Sequence, residues 1–490
     1  MAVVVAIDSG TTGVRSIAFD EHGIPVGSSY REFPQYFPQP GWVEHDADEI
    51  WSAVLTTLRE LAEALDQPIA AIGITDQRET VVMWDKATSA PLHRAIVWQD
   101  RRTTDRCAQL EEAGHLDLVR STTGLVLDPY FSASKLEWLI ANGNIEIGSN
   151  TAFGTVDSWL VWKLTGGAAH VTDTTNASRT LLFDIGLLKW SDELLDLFRV
   201  PASIMPEVRA SSGRFGVTAE GLPVPANIPI SGIAGDQQAA LFGQACFNPG
   251  DAKNTYGTGS FILMNVGEKK PEPVDGLLTT VGWTLGDGTT TYALEGAVFV
   301  TGAAIQWLRD GLGVISDAAE IGPLAAEVDS SDDVFVVPAF AGLGSPWWDP
   351  NARGTIVGLT RGTTRSHLAR ATVDSMALQS RDVIDAMATA GGVDVESLRV
   401  DGGAGVMDLL LQIQADQIGV PVHRSAITET TALGAAYLAG IAEGVWDGTD
   451  EVSAAWRSDF TATPTSDRKA ANALHQRWLQ AVDRSRGWAG

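Results

Sequence analysis

Ile228-Pro-Ile-Ser-Gly-Ile-Ala-Gly235 is an apolar run of strand character, and Asp236-Gln-Gln-Ala-Ala-Leu-Phe242 follows it at once as an amphipathic one. The junction sets a carboxylate, Asp236, where a strand gives way to a helix, the place where open α/β sheets hold their ligands. Two other segments have the make-up of phosphate-holding turns: Asp8-Ser-Gly-Thr-Thr12, directly after the strand-like Val3-Val-Val-Ala-Ile7, and Tyr256-Gly-Thr-Gly259. Glycine lets backbone approach a phosphate closely, and threonine hydroxyls and N–H groups donate to it. A carboxylate base between two such turns suggests phosphoryl transfer to a small hydroxyl compound. Each piece also has a plainer reading: Asp236 as a helix N-cap, and the two turns as ordinary hairpins.

Outward from these segments the chain reads as two α/β halves, each opened by a strand-turn-strand. In the first, residues 3–8 and 14–20 are the strands. The spacing then predicts a helix from Asp46 to about Leu65, with acids in its first turn as the helix dipole favours. Strands are expected over 69–75 and 80–84, helices over 132–141 and 156–164, and a loop rich in Gly, Pro and Ala over 214–227. After the turn-rich Phe247-Asn-Pro-Gly-Asp251, a second strand pair covers 252–256 and 261–266. Leu398-Arg-Val-Asp-Gly-Gly403 is a further strand and glycine turn, a helix follows through Ile418, and 466–484 is a terminal helix.

Bulk properties narrow the function. A chain of 490 residues exceeds a single core. Its 61 acids against 34 bases leave a net charge of −27, which argues against nucleic acid or an anionic membrane as partner. A polyphosphate must then be met by local arginine, backbone N–H groups and a metal ion. Cys107 and Cys246 are the only cysteines, too few for a disulfide framework, so a reducing cytoplasm is expected. No basic leader and no apolar run near the roughly 20 residues of a membrane span is present. The eight histidines are scattered without an i, i+4 pair, which speaks against a transition-metal site. The chain has no Gly-Lys pair, hence no Walker A motif, and no G-x-G-x-x-G.

Other candidates each carry a bland alternative. Gln77-Arg-Glu-Thr80 sits just past a strand end, where a surface ion pair is common. Trp98 and Phe261 are core aromatics in a chain with 16 tryptophans, or they wall a pocket. Tyr130 follows Asp128-Pro129, a plain turn. The order and combination of the pieces decide. Pro40-Gly-Trp-Val-Glu-His-Asp46, Gly73-Ile-Thr-Asp-Gln-Arg-Glu-Thr80, Ile96-Val-Trp-Gln-Asp-Arg-Arg-Thr103, Leu127-Asp-Pro-Tyr-Phe-Ser132, Val171-Thr-Asp-Thr-Thr-Asn-Ala-Ser-Arg-Thr180, Ser231-Gly-Ile-Ala-Gly-Asp-Gln-Gln238, Lys253-Asn-Thr-Tyr-Gly-Thr-Gly259 and Glu295-Gly-Ala-Val-Phe299 occur in sequence. Together they resemble the FGGY family of carbohydrate kinases, in particular its glycerol-phosphorylating members, from Val4 to about Trp446.

The resemblance implies a fold of two actin-like (ribonuclease H-like) ATPase domains flanking a catalytic cleft, here divided as 1–245 and 246–490. It implies ATP-dependent phosphorylation of glycerol to glycerol 3-phosphate, with ATP and Mg²⁺ as cofactors. Arg78, Glu79, Tyr130 and Asp236 would hydrogen-bond the polyol, Trp98 and Phe261 would wall its carbon skeleton, and Gln237 would stand beside them. Asp236 would be the catalytic base. Thr11, Thr12, Arg15, Thr258, Gly302, Gln306, Gly403 and Met407 fall on nucleotide-contacting positions, and Asp8 and Asp236 fall near the metal. A homo-oligomer, dimer or tetramer, is expected in the cytoplasm, with no nucleic acid partner and no membrane insertion.

Two residues depart from the family pattern. Met407 stands where the family carries an adenosine-contacting Asn, and Ser9 replaces a Gln of the first hairpin. Some relatives are inhibited by fructose 1,6-bisphosphate or controlled by His phosphorylation, through a region that here reads 216–228 and contains no Lys, Arg or His. Neither control is therefore expected. The alternatives are a kinase for another small polyol or ketose, an actin-like ATPase acting on partners, or a catalytically weak regulator.

Overall fold

The computed structural model describes residues 2–489. Two sheets organise it. In the first, six strands run in the order Ser212–Val217, Pro229–Gly235, Ile69–Asp76, Val3–Ser9, Gly13–Phe19, Pro25–Glu32. Val3–Ser9 pairs antiparallel with Gly13–Phe19 and parallel with Ile69–Asp76, which runs parallel to Pro229–Gly235. The second sheet of seven strands repeats the plan. Asp251–Tyr256 pairs antiparallel with Ser260–Gly267 and parallel with Ser397–Asp401, itself parallel to Val422–Ser425. An antiparallel edge strand finishes each parallel side, Ser212–Val217 in one sheet and Ser458–Ala462 in the other.

The central strands explain their own composition. Val3–Ser9 is buried on both faces, so it reads as a continuous apolar run rather than an alternating one. Helices Ala47–Ala64 and Val156–Leu164 contribute to the core on one side of the first sheet. The longer helix starts where Asp46 accepts hydrogen bonds from the backbone of Asp48 and Glu49, the N-cap its sequence signals. The second sheet shares its core with helices Arg365–Gly391 and Asp408–Ile418.

Helix Thr430–Ala442 joins the halves. It follows a strand of the second sheet, yet it packs with helix Asp236–Gly243 in a core that includes Val4, Ala6 and Ala71 of the first sheet. A Cβ at Gly434 would stand 1.8 Å from the carbonyl oxygen of Ala239, so only glycine permits this backbone approach. Buried along nearly all its length, the helix is apolar all round.

The loop expected over 214–227 is shorter than its composition suggested, because the edge strand Ser212–Val217 takes its first residues. Strands Leu278–Thr284 and Thr290–Val298 and helices Gly302–Asp310 and Arg365–Gly391 occupy stretches for which no element was expected. The long helix buries Asp374, Gln379, Arg381 and Asp382 beside its apolar residues, which blurs its periodicity. Among the described residues no helix is long and apolar enough to cross a membrane.

Candidate active site

Strand Pro229–Gly235 ends on Asp236, the first residue of helix Asp236–Gly243. Asp236 does not cap that helix: Gly235 holds the cap position without a side-chain bond. The Asp236 carboxylate accepts from the Gln237 backbone N–H at 2.7 Å and lies 3.2 Å from Arg78 Nε. A Cβ at position 235 would meet Arg78 Cγ at 2.6 Å, so the glycine before the acid makes room for the arginine beneath it. About a third of the Asp236 side chain stays exposed, whereas Arg78 is buried.

Arg78 and Glu79 are aimed by a strained turn. The neighbouring strand Ile69–Asp76 is followed by a turn in which Thr80 N–H donates to the Arg78 carbonyl at 2.8 Å, with Glu79 between them at φ 65°. A left-handed φ on a non-glycine residue is costly and gathers at functional sites. Arg78 then donates to Glu295 at 2.5 and 3.2 Å, to Gln238 at 3.2 Å and to the Tyr130 hydroxyl at 3.2 Å. Burial raises the Glu79 carboxyl from its ordinary value, against the pull of Arg78 and Arg179. Burial would lift Glu295 too, but Arg179 and Arg78 hold it down at about 2. Desolvation keeps the Tyr130 phenol protonated, a donor and acceptor rather than an anion.

Trp98, Tyr130, Gln237 and Phe261 line one cavity of about 720 Å³, together with Glu295, Gly257 and Thr258. Trp98 packs edge-on against Tyr130 at 5.5 Å between ring centroids, and its indole N–H donates to Thr11 Oγ1 at 3.0 Å. These aromatics wall a pocket. A second cavity of about 830 Å³ is lined by Thr258, Gly302, Gln306, Gly403 and Met407, with Gly257 again at its edge. The two cavities therefore meet at the Gly257-Thr258 hairpin. Met407 occupies a wall, its Cγ 3.3 Å from where a Cβ on Gly322 would lie.

The first hairpin completes the junction. Asp8 pairs in register with Arg15 on one side and Thr75 on the other. Burial, with Asp236 and Glu429 nearby, pushes Asp8 up to about 7, partly offset by Arg15. A buried carboxylate raised by neighbouring acids favours a divalent cation, and hard oxygen ligands suit Mg²⁺. Among the described residues no group of three or more His, Cys, Asp and Glu side chains forms a metal cage, so such an ion would rely on substrate phosphates and water. Thr12 is exposed at the turn, and Arg15 is engaged across the cleft by Glu429.

Several residues beside this site carried no role in the sequence reading. Arg179 bridges Glu79 and Glu295. Lys253, buried and pushed down to about 8 chiefly by desolvation, donates to Gln237 Oε1 and to Thr255 Oγ1. Glu429, next to the start of helix Thr430–Ala442, holds Arg15. Arg179, Lys253 and Glu295 stand within the motif segments quoted above, which was the available signal; Glu429 stands in none.

Two family models, the N-terminal and C-terminal domains of the FGGY family of carbohydrate kinases, match residues 3–243 and 252–443. The chain is 54% identical to a glycerol kinase of Bordetella parapertussis, over 99% of this chain and 97% of that protein. It is 51% identical to glycerol kinase 2 of Thermotoga maritima, over 100% and 99%. The crystal structure of Plasmodium falciparum glycerol kinase with ADP superposes with a TM-score of 0.95 at 36% identity, covering 99% of this chain and 98% of that one. With both of its domain models matched in order and relatives of this similarity over nearly the whole length, the chain belongs to the FGGY family of carbohydrate kinases.

Proposed function

We propose that this chain is a glycerol kinase, transferring the γ-phosphoryl group of ATP to a terminal hydroxyl of glycerol to give glycerol 3-phosphate and ADP. The observation that carries the reading is the junction of the two cavities at Gly257-Thr258, with Asp236 held by Arg78 and followed by Gln237, which lines one of them. A three-carbon polyol needs several polar partners and one apolar face. Arg78, Glu79, Tyr130 and Asp236 supply the first, and Trp98 and Phe261 the second. Thr11, Thr12, Arg15, Thr258, Gly302, Gln306, Gly403 and Met407 are the nucleotide side of the cleft. The halves 1–245 and 246–490 act as two jaws around it.

Asp236 accepts the proton of the attacking hydroxyl, whose oxygen forms the new bond to phosphorus as the bond to ADP breaks. Arg78 holds the Asp236 carboxylate in place, and the hairpin N–H groups and hydroxyls meet charge on the transferring group. Asp8 and Asp236 would hold Mg²⁺, which when bound supplies positive charge to the phosphates. Buried, high-pKa thiols at Cys107 and Cys246, pushed up to about 11 and about 12 by burial, suit a reducing cytoplasm. Light scattering tests for the dimer or tetramer. The decisive experiment is a coupled ADP-release assay with Mg-ATP, glycerol and a panel of other polyols and ketoses. ADP release that glycerol does not stimulate would overturn the reading.

A further inference from the structure

Beneath the polyol cavity the charges alternate in a chain: Glu79, Arg179, Glu295, Arg78, Asp236. Arg179 Nε donates to Glu79 at 2.7 Å and its NH2 to Glu295 at 2.8 Å. Glu295 in turn takes two bonds from Arg78, whose Nε faces Asp236 at 3.2 Å. A second contact, Arg78 Nε to Glu79 at 3.7 Å, closes the ring. Arg179 has no exposed side-chain surface, and Glu295 has almost none. Neither side chain is an ordinary structural filler, because an ionic group is expensive to bury without opposite charge; Arg179 meets two carboxylates through Nε and NH2, while its NH1 has no hydrogen-bond partner.

The geometry makes one residue the keystone. The groups expected to touch the polyol are set from beneath: Glu79 sits on a turn with a left-handed φ of 65°, and the planar Arg78 guanidinium takes its direction from Glu295, Gln238 and Tyr130. Arg179 holds Glu79 directly and Arg78 through Glu295. The three elements involved are distant in sequence, the turn after Ile69–Asp76, the segment near helix Thr174–Ala177, and strand Thr290–Val298. The last belongs to the second sheet, so the Arg78–Glu295 contact also ties the polyol residues of the first half to the sheet that carries the Gly257 hairpin.

We propose that Arg179 and Glu295 are positioning residues for polyol recognition, acting through Arg78 and Glu79 and setting the affinity for the acceptor rather than for the nucleotide. This rests on the kinase reading above. Arg179→Lys keeps the charge but loses the planar fork that spans two carboxylates. Glu295→Gln keeps the shape but removes the anion that Arg78 and Arg179 share. Steady-state kinetics of both variants, purified with thermal melts as a check on folding, should show KM for glycerol raised about tenfold to a hundredfold, the weight of one or two misdirected charged hydrogen bonds. KM for ATP should stay within about twofold, a split that general loosening of the fold does not produce. The double variant should cost about as much as either single one, since the pair works as a unit. Folded variants that keep the glycerol KM, or that lose ATP and glycerol affinity equally, overturn the proposal while leaving the kinase reading standing. A wild-type protein that shows no glycerol-dependent ADP release overturns both.

Discussion

Replacing Asp236 with asparagine separates catalysis from binding in this site. Asparagine has nearly the same shape, and its amide oxygen can still accept from the Gln237 N–H and face Arg78 Nε, the two contacts that orient Asp236 now. Arg78 does not depend on that contact, because Glu295, Gln238 and Tyr130 hold its other nitrogens. The pocket therefore keeps its form, and the loss falls on proton transfer. A positioned general base contributes about 10²- to 10⁴-fold. At about 1.36 kcal/mol per tenfold, the barrier should rise by at least ~2.7 kcal/mol. The assay is coupled ADP release at saturating Mg-ATP with glycerol varied, and kcat should fall at least about 100-fold while KM for glycerol changes by less than about tenfold. A variant with kcat within a few-fold of wild type would refute the reasoning, leaving Asp236 a structural partner of Arg78. A large rise in KM with unchanged kcat would make it a binding group only.

The two aromatic walls should separate. Phe261→Ala should raise KM for glycerol and favour longer polyols without touching ATP, whereas Trp98→Ala also removes the donor to Thr11 and should raise KM for ATP as well; equal effects of the two would show that the Trp98–Thr11 link carries nothing. Met407→Asn puts a polar group on the wall of the nucleotide cavity and should lower KM for ATP and sharpen its preference over other nucleotides, read by competition among triphosphates. Asp157 is buried behind the active-site strand and pushed from 3.8 to about 7, by burial first and then by Asp173. The folded state thus holds its proton across that window while the unfolded chain releases it, so stability falls as pH rises from about 4 to 7 and the penalty is complete above. Asp157→Asn should flatten that slope in urea titrations at several pH values, and an unchanged slope would place the charge elsewhere. Finally, fructose 1,6-bisphosphate at millimolar levels and low salt should leave activity unchanged, because residues 216–228 offer no basic side chain and Arg209, beside them, is spent on Glu207 and on backbone carbonyls; saturable inhibition abolished by changes in that loop would say otherwise.

What the sequence determined by itself was local. An apolar run ending in Asp236, two glycine-threonine turns behind strands, and an acid-rich helix start at Asp46 each follow from short-range preferences, and each is found where those preferences put it. The eight segments resembling the FGGY family contain Trp98, Tyr130, Gln237 and Glu295, which the structure gathers around one cavity, whereas Phe261 of the same lining stands outside them. Tertiary structure alone decided how the pieces meet. Arg78 and Glu295 are 217 positions apart and Arg15 and Glu429 are 414 apart, separations over which no periodicity speaks. Helix Thr430–Ala442 shows the same limit. Its composition marks it as buried, but nothing in its order of residues says that it lies against the first sheet rather than the second; the first-sheet strands settle that, because a Cβ at Gly73 would stand 2.2 Å from the Ala435 carbonyl oxygen and one at Gly232 would stand 2.3 Å from the Ala439 nitrogen. Burial of Arg179 is of the same kind, since an arginine reads as surface until two carboxylates from distant strands and turns arrive to make its charge affordable.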